Sequence, residues 1–316
     1  MAYSLYRMEF TTGLHIGTEA GGPSLDNSRM TIPSDTLFSA LCCECVKNGR
    51  INDLYQCFNE NSLSISDALP YKGDEFFLPK PVLFFDNKSR DNESTNASLK
   101  KEFKSIEYIP LSSFNKYMKG LSSKGMDLGR LKYEFGKMVV DTRAAIKGKT
   151  QTMPYNVAYW RFNEGSGLYV IVGYQNDTAL SLFEEALVNL GLSGVGGKQS
   201  SGLGKFNVRK CSVPSILSEL LNDKEAEYQM LLGTALPGDQ ELDTALIDGW
   251  YKLIRRGGFI RSETYSSTPQ KKRTIHMLMS GSCLRKRFDG EIFNLSNGGV
   301  HPVWRCGKTL FAGVRL

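Results

Sequence analysis

The sequence predicts an α+β fold whose first part runs strand, helix, two strands, helix, strand. Two kinds of segment predict it. The first kind is a set of short strand-like segments, of which residues 4–10 are the first in the chain. The second kind consists of two longer segments, 34–46 and 178–190, in which apolar residues recur with helical spacing. A chain of 316 residues with 41% hydrophobic content can form two domains of ordinary size. We place the boundary after residue 213, which gives domains at 1–213 and 214–316.

The first helix is predicted to start abruptly. Ser34 is a good N-cap, Asp35 favours the positive end of the helix, and apolar residues at 37–46 recur at spacings of one, three and four. Cys42 and Cys45 fall on the face that this spacing buries. We therefore interpret them as structural cysteines rather than metal ligands.

A strand pair at 63–69 and 76–85 is predicted next, and Pro79 and Pro81 make its second strand either an edge strand or an irregular one. The first part closes with a strand at 168–174, a helix at 178–190 and a strand at 205–212. This is the split βαβ order of a ferredoxin-like or RNA-recognition-type domain. The second part begins after Pro214, with a strand at 228–236, a short helix at 239–248 and several β-rich segments, and it could be a variant of the same architecture.

An insertion at about 86–165 separates the strand pair from the rest of the first part. It begins with a polar loop at 86–105 and continues as a long projecting β-hairpin. The hairpin tip at 143–150, RAAIKGKT, is basic. It could reach a partner or be a solvated turn, and the sequence leaves both open.

The composition excludes several classes of protein. Aromatic residues are plentiful, so the chain is not disordered, and the N-terminal residues lack the basic region and apolar core of a signal peptide. No later segment approaches the ~20 apolar residues of a membrane helix. Seven cysteines at irregular positions fit neither a disulfide framework nor paired metal-binding motifs. We expect a soluble protein in the cytoplasm, with no metal, no cofactor and no membrane partner.

Positive charge is concentrated in the second part. Residues 251–288 contain ten lysines or arginines and one acid, Glu263, and the rest of the chain is slightly acidic. A concentrated basic region is expected for a polyanionic partner. A solvated surface face is the alternative, but such a face usually interleaves acidic residues.

The glycine-rich loop at 194–206, GVGGKQSSGLGKF, is the strongest functional motif. Its glycines let the backbone approach a ligand and direct amides at it, while lysines add charge and serines add hydroxyl donors, a combination suited to RNA phosphates. It is not a P-loop, because Leu203 stands where that motif needs lysine, nor a dinucleotide fingerprint, because Gln199 replaces the third glycine. A flexible connector is the alternative. The loop residues expected to contact RNA are Gly194, Gly196, Gly197, Lys198, Gln199, Ser200, Ser201, Gly202, Gly204 and Lys205.

A glycine-rich loop between the second helix and last strand of a ferredoxin-like domain resembles the signature of the RAMP (repeat-associated mysterious protein) superfamily of CRISPR systems. Further stretches narrow the resemblance: GLHIGTEAG at 13–21, IPSDTLFSALC at 32–42, YKLIRRGGFIRS at 251–262 and MSGSCL at 279–284. Together they resemble the fourth subunit of the type III-A, or Csm, effector complex. The resemblance spans nearly the whole chain.

This resemblance implies two ferredoxin-like (RRM-like) domains and no catalytic activity. It also implies a grip on the repeat-derived 5′ tag of the CRISPR RNA, and docking of the large polymerase-cyclase subunit and the first backbone RAMP subunit. By position, the gripping groups outside the glycine-rich loop would be His15, Gly17, Arg143, Lys147, Lys149, Arg255, Arg256 and Arg261. Residues 256–260 match only the opening of an RNP1 motif, so base stacking on the sheet is not expected.

Two other functions remain open from the sequence. RAMP relatives include metal-independent ribonucleases, and His15 could be the base that activates a 2′-hydroxyl, because histidine titrates near neutral pH. His15 could equally hydrogen-bond RNA or local backbone, whereas His276 and His301 lie in apolar strand patterns and are interpreted as structural. A protein-only assembly module, whose basic region meets acidic partners, is the third possibility.

Overall fold

The computed structural model describes residues 1–17, 25–83, 105–122, 131–147, 151–262 and 264–316. The predicted polar loop at 86–105 lies outside the described residues except for Ser105, and so does Lys149 at the hairpin tip. Within the described ranges, no helix is both long enough and apolar enough to cross a membrane.

The described elements confirm a mixed α+β fold. The strands are β1 Ala2–Phe10, β2 Leu63–Ile65, β3 Leu69–Lys72, β4 Glu75–Pro79, β5 Tyr108–Pro110, β6 Gly136–Lys147, β7 Gln151–Phe162, β8 Ser166–Tyr174, β9 Phe206–Cys211, β10 Tyr228–Leu231, β11 Leu253–Arg256, β12 Ile275–Leu278, β13 Cys283–Leu284, β14 Ile292–Asn294, β15 Trp304–Cys306 and β16 Phe311–Val314. The helices are α1 Ser34–Lys47, α2 Ile51–Asn59, α3 Phe114–Ser122, α4 Asp177–Ser193, α5 Ser215–Asn222 and α6 Leu242–Ala245.

The central sheet has the strand order β5-β4-β3-β8-β1-β9, and β2 also pairs with β8. β1 lies antiparallel to both β8 and β9, and β3 lies antiparallel to β8. Helices α1 and α2 connect β1 to β2, and α4 connects β8 to β9. This is the split βαβ order predicted from the sequence, with β4, β5, α3 and the β6–β7 hairpin inserted between β3 and β8.

The predicted strand at 63–69 is interrupted, because β2 and β3 follow the same edge of β8 but leave it at Asp67. One carboxylate oxygen of Asp67 accepts hydrogen bonds from the backbone amides of Ser34 and Thr234, each at 2.7 Å. Burial raises the pKa of Asp67, and the two donated amide hydrogen bonds oppose the rise. At this interruption, Asp67 therefore links α1 to the second part of the chain.

The prediction that Ser34 is the N-cap of α1 was wrong by one residue. Pro33 occupies the N-cap position and Ser34 is the first helical residue. The Ser34 hydroxyl donates to the carbonyl of Thr234 at 2.9 Å instead of capping the helix. A tertiary contact therefore uses the side chain that local preference would assign to a cap.

Both faces of the central sheet are covered over its central strands. Helices α1, α2 and α4 cover one face. On the other face, Leu5, Tyr169 and Ile171 pack in one hydrophobic cluster with residues of α5, β10 and β16 from the second part. The predicted parts 1–213 and 214–316 thus share a core across this sheet. The centre of the face on which RNA-recognition modules stack bases is occupied by protein.

Candidate nucleic-acid interface

The glycine-rich loop is fixed at both ends by backbone hydrogen bonds. The amide of Val195 donates to the carbonyl of Gly204 at 2.9 Å, which closes the loop on itself. The amides of Gly204 and Gly197 donate to the carbonyls of Gly13 and His15, both at 2.8 Å, which tie the loop to the segment that follows β1. The loop is therefore a built element of the fold, which counts against the flexible-connector alternative.

Glycine is required at two of these contacts. A Cβ atom on Gly204 would stand 2.0 Å from the Val195 carbonyl oxygen, and one on Gly196 would stand 2.3 Å from the His15 carbonyl oxygen. Both residues also have positive φ, +81° and +89°. A side chain on Gly196 would push the loop away from the segment after β1, and one on Gly204 would disrupt the closure of the loop on Val195.

Lys198 connects the loop to the inserted hairpin. Its backbone is left-handed, with φ of 60°, and it leads into a 3-10 turn at Gln199–Ser201. Its ammonium group lies 4.8 Å from the centre of the Tyr155 ring on β7, within the range of a cation–π interaction. Among the described residues, the amides of Lys198, Gln199 and Ser200 donate no hydrogen bond to the protein.

The β6–β7 hairpin places a second cation opposite Tyr155 in its strand pairing. Arg143 on β6 lies directly opposite Tyr155 on β7, so their side chains share one face of the ribbon. Lys147 is further toward the tip, opposite Gln151, and its side chain is outside the described part of the structure. The hairpin predicted from the sequence is present, and its Arg143 side lies toward the glycine-rich loop.

Arg261 brings the basic second part to the loop. Its guanidinium donates a hydrogen bond to the side-chain oxygen of Gln199. Burial raises the pKa of the Cys43 thiol on α1, and the charges of Arg261 and Lys272 oppose that rise. Both cations therefore lie near α1. We call the region formed by Arg143, Tyr155, Lys198, Gln199 and Arg261 the loop cleft.

Arg256 is placed away from the loop cleft, although the sequence grouped it with Arg261. It is 5% exposed, and its Nε and Nη2 atoms donate to the two carboxylate oxygens of Asp35 at 3.0 and 3.1 Å. Arg305 donates to the same carboxylate, which is fully buried. Asp35 thus does more than favour the start of α1: it joins α1 to the second part. A guanidinium used in this way is not presented to RNA, so we assign Arg256 a structural role.

Three other predicted contacts lie at the margin. Arg255 is exposed on β11, opposite His276, and the structure shows no contact between it and the loop. Lys205 has an exposed side chain, while its backbone pairs with Thr11 and Thr12 at the start of β9. Gly17 is exposed at the end of the described segment after β1.

His15 lies beneath the loop with a ring that is 4% exposed. Its Nδ1 is 2.5 Å from the carbonyl oxygen of Ala158 on β7, and because a carbonyl can only accept, Nδ1 carries the proton. A Cβ on Gly197 would stand 2.6 Å from the ring. His15 therefore joins the segment after β1, the loop and the hairpin. His301, which lies outside the strands, contacts the Ser262 hydroxyl at 2.7 Å.

Sequence reasoning missed Tyr155 as a member of the loop cleft. Tyr155 could have been found, since an aromatic residue facing a basic hairpin tip is a signal for nucleic-acid binding. In the part of the chain that the structure describes, no three His, Cys, Asp or Glu side chains are grouped as metal ligands would be.

The split βαβ sheet, the glycine-rich loop after its second helix and the basic residues around that loop define a RAMP-type protein. A family model of the CRISPR Csm4 C-terminal domain matches residues 224–314. The CRISPR system Cms protein Csm4 of Mycobacterium tuberculosis is 32% identical over 309 residues, 97% of this chain and 96% of that protein. The protein of the same name in Streptococcus thermophilus is 29% identical over 98% of both chains. The chain belongs to the Csm4 family.

Solved structures show the same fold. A crystal structure of a Csm3–Csm4 subcomplex from the type III-A CRISPR-Cas interference complex matches 99% of this chain and 100% of the other, with a TM-score of 0.65 and 18% identity. A crystal structure of a Csm1–Csm4 cassette with cA4 matches 100% and 99%, with a TM-score of 0.62 and 18% identity. At such identities the likeness concerns the fold.

Proposed function

We propose that this chain is a non-catalytic RNA-binding subunit of a type III-A CRISPR effector complex, and that the loop cleft grips the 5′ tag of the CRISPR RNA. One observation carries the proposal. Lys198 lies over Tyr155 of the hairpin while Arg261 of the second part donates to Gln199, so three separate segments bring cations and donors to one place. Convergent cations beside an aromatic ring suit a single RNA strand, whose phosphates need charge and whose bases can stack.

The assembly part of the proposal rests on relatives. Csm4 proteins of the same fold have been solved in a Csm3–Csm4 subcomplex and in Csm1–Csm4 cassettes. We infer that this chain likewise docks a backbone RAMP subunit and the large polymerase-cyclase subunit, and works in the cytoplasm as part of that ribonucleoprotein. The occupied sheet face supports RNA binding at the loop cleft, because the usual stacking surface of an RNA-recognition domain is covered.

The placement of His15 supports the non-catalytic part. A general base must reach the proton that it removes, and the His15 ring is buried between the loop and β7. Its Nδ1–H donates to the carbonyl of Ala158, which fixes the orientation of the ring and leaves the acceptor role to Nε2, so the burial of the ring is the observation that counts against a base. We assign His15 the role of holding the loop, the hairpin and the segment after β1 in register.

The first experiment is co-purification from cells that carry the CRISPR array. We expect the chain, together with its complex, to retain short RNAs that share one constant 5′ end derived from the repeat. RNAs with random ends would show non-specific binding and contradict tag recognition. Absence of RNA, with the proteins still assembled, would favour the protein-only assembly module.

The second experiment tests cleavage with His15→Asn, which keeps an amide donor near the position of Nδ1 but removes the titratable group. We expect neither the wild-type chain nor the variant to cut repeat RNA, and both to bind it. Cleavage by the wild-type chain that disappears in the variant and on a 2′-deoxy substrate would establish the ribonuclease alternative.

A further inference from the structure

A second cleft, of about 440 Å³, opens at the end of the central sheet that the second part of the chain leaves uncovered. We call it the sheet-end cleft. It lies on the face of β1 that carries Arg7 and Glu9, between the β3–β4 turn and the turn after β7. Its polar lining includes Arg7, Glu9, Asp74, Asn163, Ser166 and Arg209. None of these residues belongs to the loop cleft.

Arg7 is the fixed element of this cleft. It is 8% exposed, and its guanidinium carbon lies 4.8 Å from the centre of the Tyr71 ring and 4.9 Å from that of Phe76. The two rings hold the planar group in one orientation. Its Nη2 contacts a fully exposed carboxylate, that of Asp74, at 3.3 Å. Its buried Nε has no hydrogen-bond partner among the described residues.

Ser166 provides a second buried donor in the same cleft. The residue is 7% exposed, and its hydroxyl also has no hydrogen-bond partner within the described ranges. Two buried polar groups without partners are costly, at ~1–3 kcal/mol each, unless something satisfies them. Both residues line one open cleft, so a ligand that brings acceptor oxygens to Arg7 would lie beside both groups.

The rim decides between an RNA phosphate and a protein carboxylate. Three accessible acidic residues line the cleft: Glu9, Asp74 and Glu164. Two cations line it as well, Arg7 and the exposed Arg209, and a guanidinium nitrogen of Arg209 lies 3.9 Å from the carboxylate of Glu9. A polyanionic strand would place several phosphates beside three carboxylates, an arrangement that like-charge repulsion opposes. A single carboxylate on a protein segment can enter between them, and neighbouring cations on that segment would meet the acidic rim.

We propose that the sheet-end cleft is a docking socket for an aspartate or glutamate side chain of a protein partner, with Arg7 and Ser166 as its donors. The proposal deepens the proposed function and rests on it in one respect, since the partner tested is a subunit of the same complex. The partner's carboxylate would lie beside the Arg7 guanidinium, next to the exposed carboxylate of Asp74. The socket would fix the orientation of the partner, because the guanidinium itself cannot rotate between its two rings.

The test measures binding of the full-length chain to its own backbone subunit and, separately, to its own large subunit. Arg7→Met keeps much of the packing against Tyr71 and Phe76 but removes the donors, and we expect at least tenfold weaker binding to one of the two subunits. Ser166→Ala, a change that leaves the packing of β8 almost unaltered, should weaken the same complex several-fold. Lys210→Met is the control, because Lys210 is exposed on β9 and pairs with Glu184 on the opposite side of the sheet.

The carboxylate can be identified directly. In the Arg7→Lys variant, a carbodiimide should join the new amine to an acidic side chain of the partner, and mass spectrometry would locate it. Coupling only to Asp74 or another acid of the same chain would overturn the proposal, as would unchanged binding of both subunits by Arg7→Met and Ser166→Ala.

Binding of tag RNA is measured in parallel to separate this proposal from the proposed function. Loss of RNA binding in Arg7→Met with both protein partners retained would show an RNA site and overturn the socket. If the wild-type chain fails to bind tag RNA while Arg7→Met still loses a protein partner, the proposed function fails and the socket stands.

Discussion

Two regions of this protein use arginines from one short basic stretch of sequence in opposite ways. Arg256 is buried at the start of α1, where it and Arg305 share the carboxylate of Asp35. Arg261 is exposed and donates to Gln199 in the glycine-rich loop. The first region, which we call the arginine clamp, joins the two parts of the chain. In the second, the loop cleft, cations lie at the surface, so a charge-rich stretch supplies both a structural and a binding element.

The difference between the regions is a matter of solvation. In the arginine clamp, Asp35 is fully buried, so removal of its charge would leave the buried arginine charges without compensation. In the loop cleft, Lys198 and Arg261 keep contact with solvent and remain available to phosphates. Substitutions in the arginine clamp should therefore change folding, and substitutions in the loop cleft should change RNA affinity alone.

The largest effect should come from Asp35→Asn. It leaves two buried guanidinium groups without a carboxylate, and we expect the free energy of unfolding to fall by about 3–5 kcal/mol. Chemical denaturation followed by circular dichroism measures this. Arg50→Met is the control. Arg50 forms exposed ion pairs with Asp53 and Glu185, which contribute little to stability, so this variant should unfold nearly as the wild type does. Equal costs for the two variants would remove the distinction between a clamp and a surface pair.

The next effect concerns Asp67, which reinforces the same junction. Asp67→Ala leaves the buried amides of Ser34 and Thr234 without an acceptor, and we expect a loss of about 2–4 kcal/mol from two such groups. Asp67→Asn keeps an acceptor oxygen and should be much milder. If both variants are equally unstable, the charge rather than the acceptor is what the junction needs.

Asp67 also predicts a pH dependence. Because burial raises its pKa, the folded state keeps a proton that the unfolded chain has lost once the pH exceeds the ordinary aspartate value of about 3.9. The stabilisation is full below that value and is lost as the pH rises through the raised pKa. Asp67→Asn should remove this pH-dependent stabilisation. The stability of the variant relative to the wild-type chain should therefore improve as the pH rises from about 3.9 through the raised pKa of Asp67, as denaturation at a series of pH values would measure.

The local patterns of this chain could be predicted from its sequence, and the long-range contacts could not. The split βαβ order, the hairpin and the glycine-rich loop are local patterns of spacing and composition, and they are present in the structure. The partner of Arg256 could not be found in this way, since Asp35 lies 221 residues away in sequence. Helix α2 was missed because it is short and buries only Leu54 and Phe58, too few positions to reveal a helical period.

Two glycines of the loop give a matched pair between folding and binding. Gly204→Ala combines positive φ with a close approach to the Val195 carbonyl, whereas Gly202 has a similar φ of +82° and nothing within 4 Å of a Cβ. We expect Gly204→Ala to cost about 2–3 kcal/mol and to weaken RNA binding by deforming the loop, and Gly202→Ala to cost about 1 kcal/mol. Thermal unfolding and RNA titration of both variants measure this; equal effects would show that φ alone matters.

The smallest effect on stability, and the most selective one, is expected in the loop cleft. Lys198→Ala, Lys205→Ala and Arg261→Ala should leave the unfolding transition within about 0.5 kcal/mol of the wild type, because these side chains are at least partly in solvent. For Lys198 and Arg261 we expect a several-fold loss of affinity for tag RNA each, measured by fluorescence anisotropy. The slope of log K against log salt should become shallower by about 0.7 for each lost phosphate contact on a single strand.

Lys210→Ala is the matched control for the loop cleft, since Lys210 is an exposed cation on β9 that pairs with Glu184. A purely electrostatic attraction to the whole chain would make all of these lysine and arginine variants equivalent. A localised grip requires the Lys198 and Arg261 variants to lose more RNA affinity, and to change the salt slope more, than the Lys210 variant, because Lys198 contacts Tyr155 and Arg261 contacts Gln199. A large loss of RNA affinity in the Lys198 and Arg261 variants, together with an unchanged unfolding transition, would show that RNA binding is separated from folding in this protein.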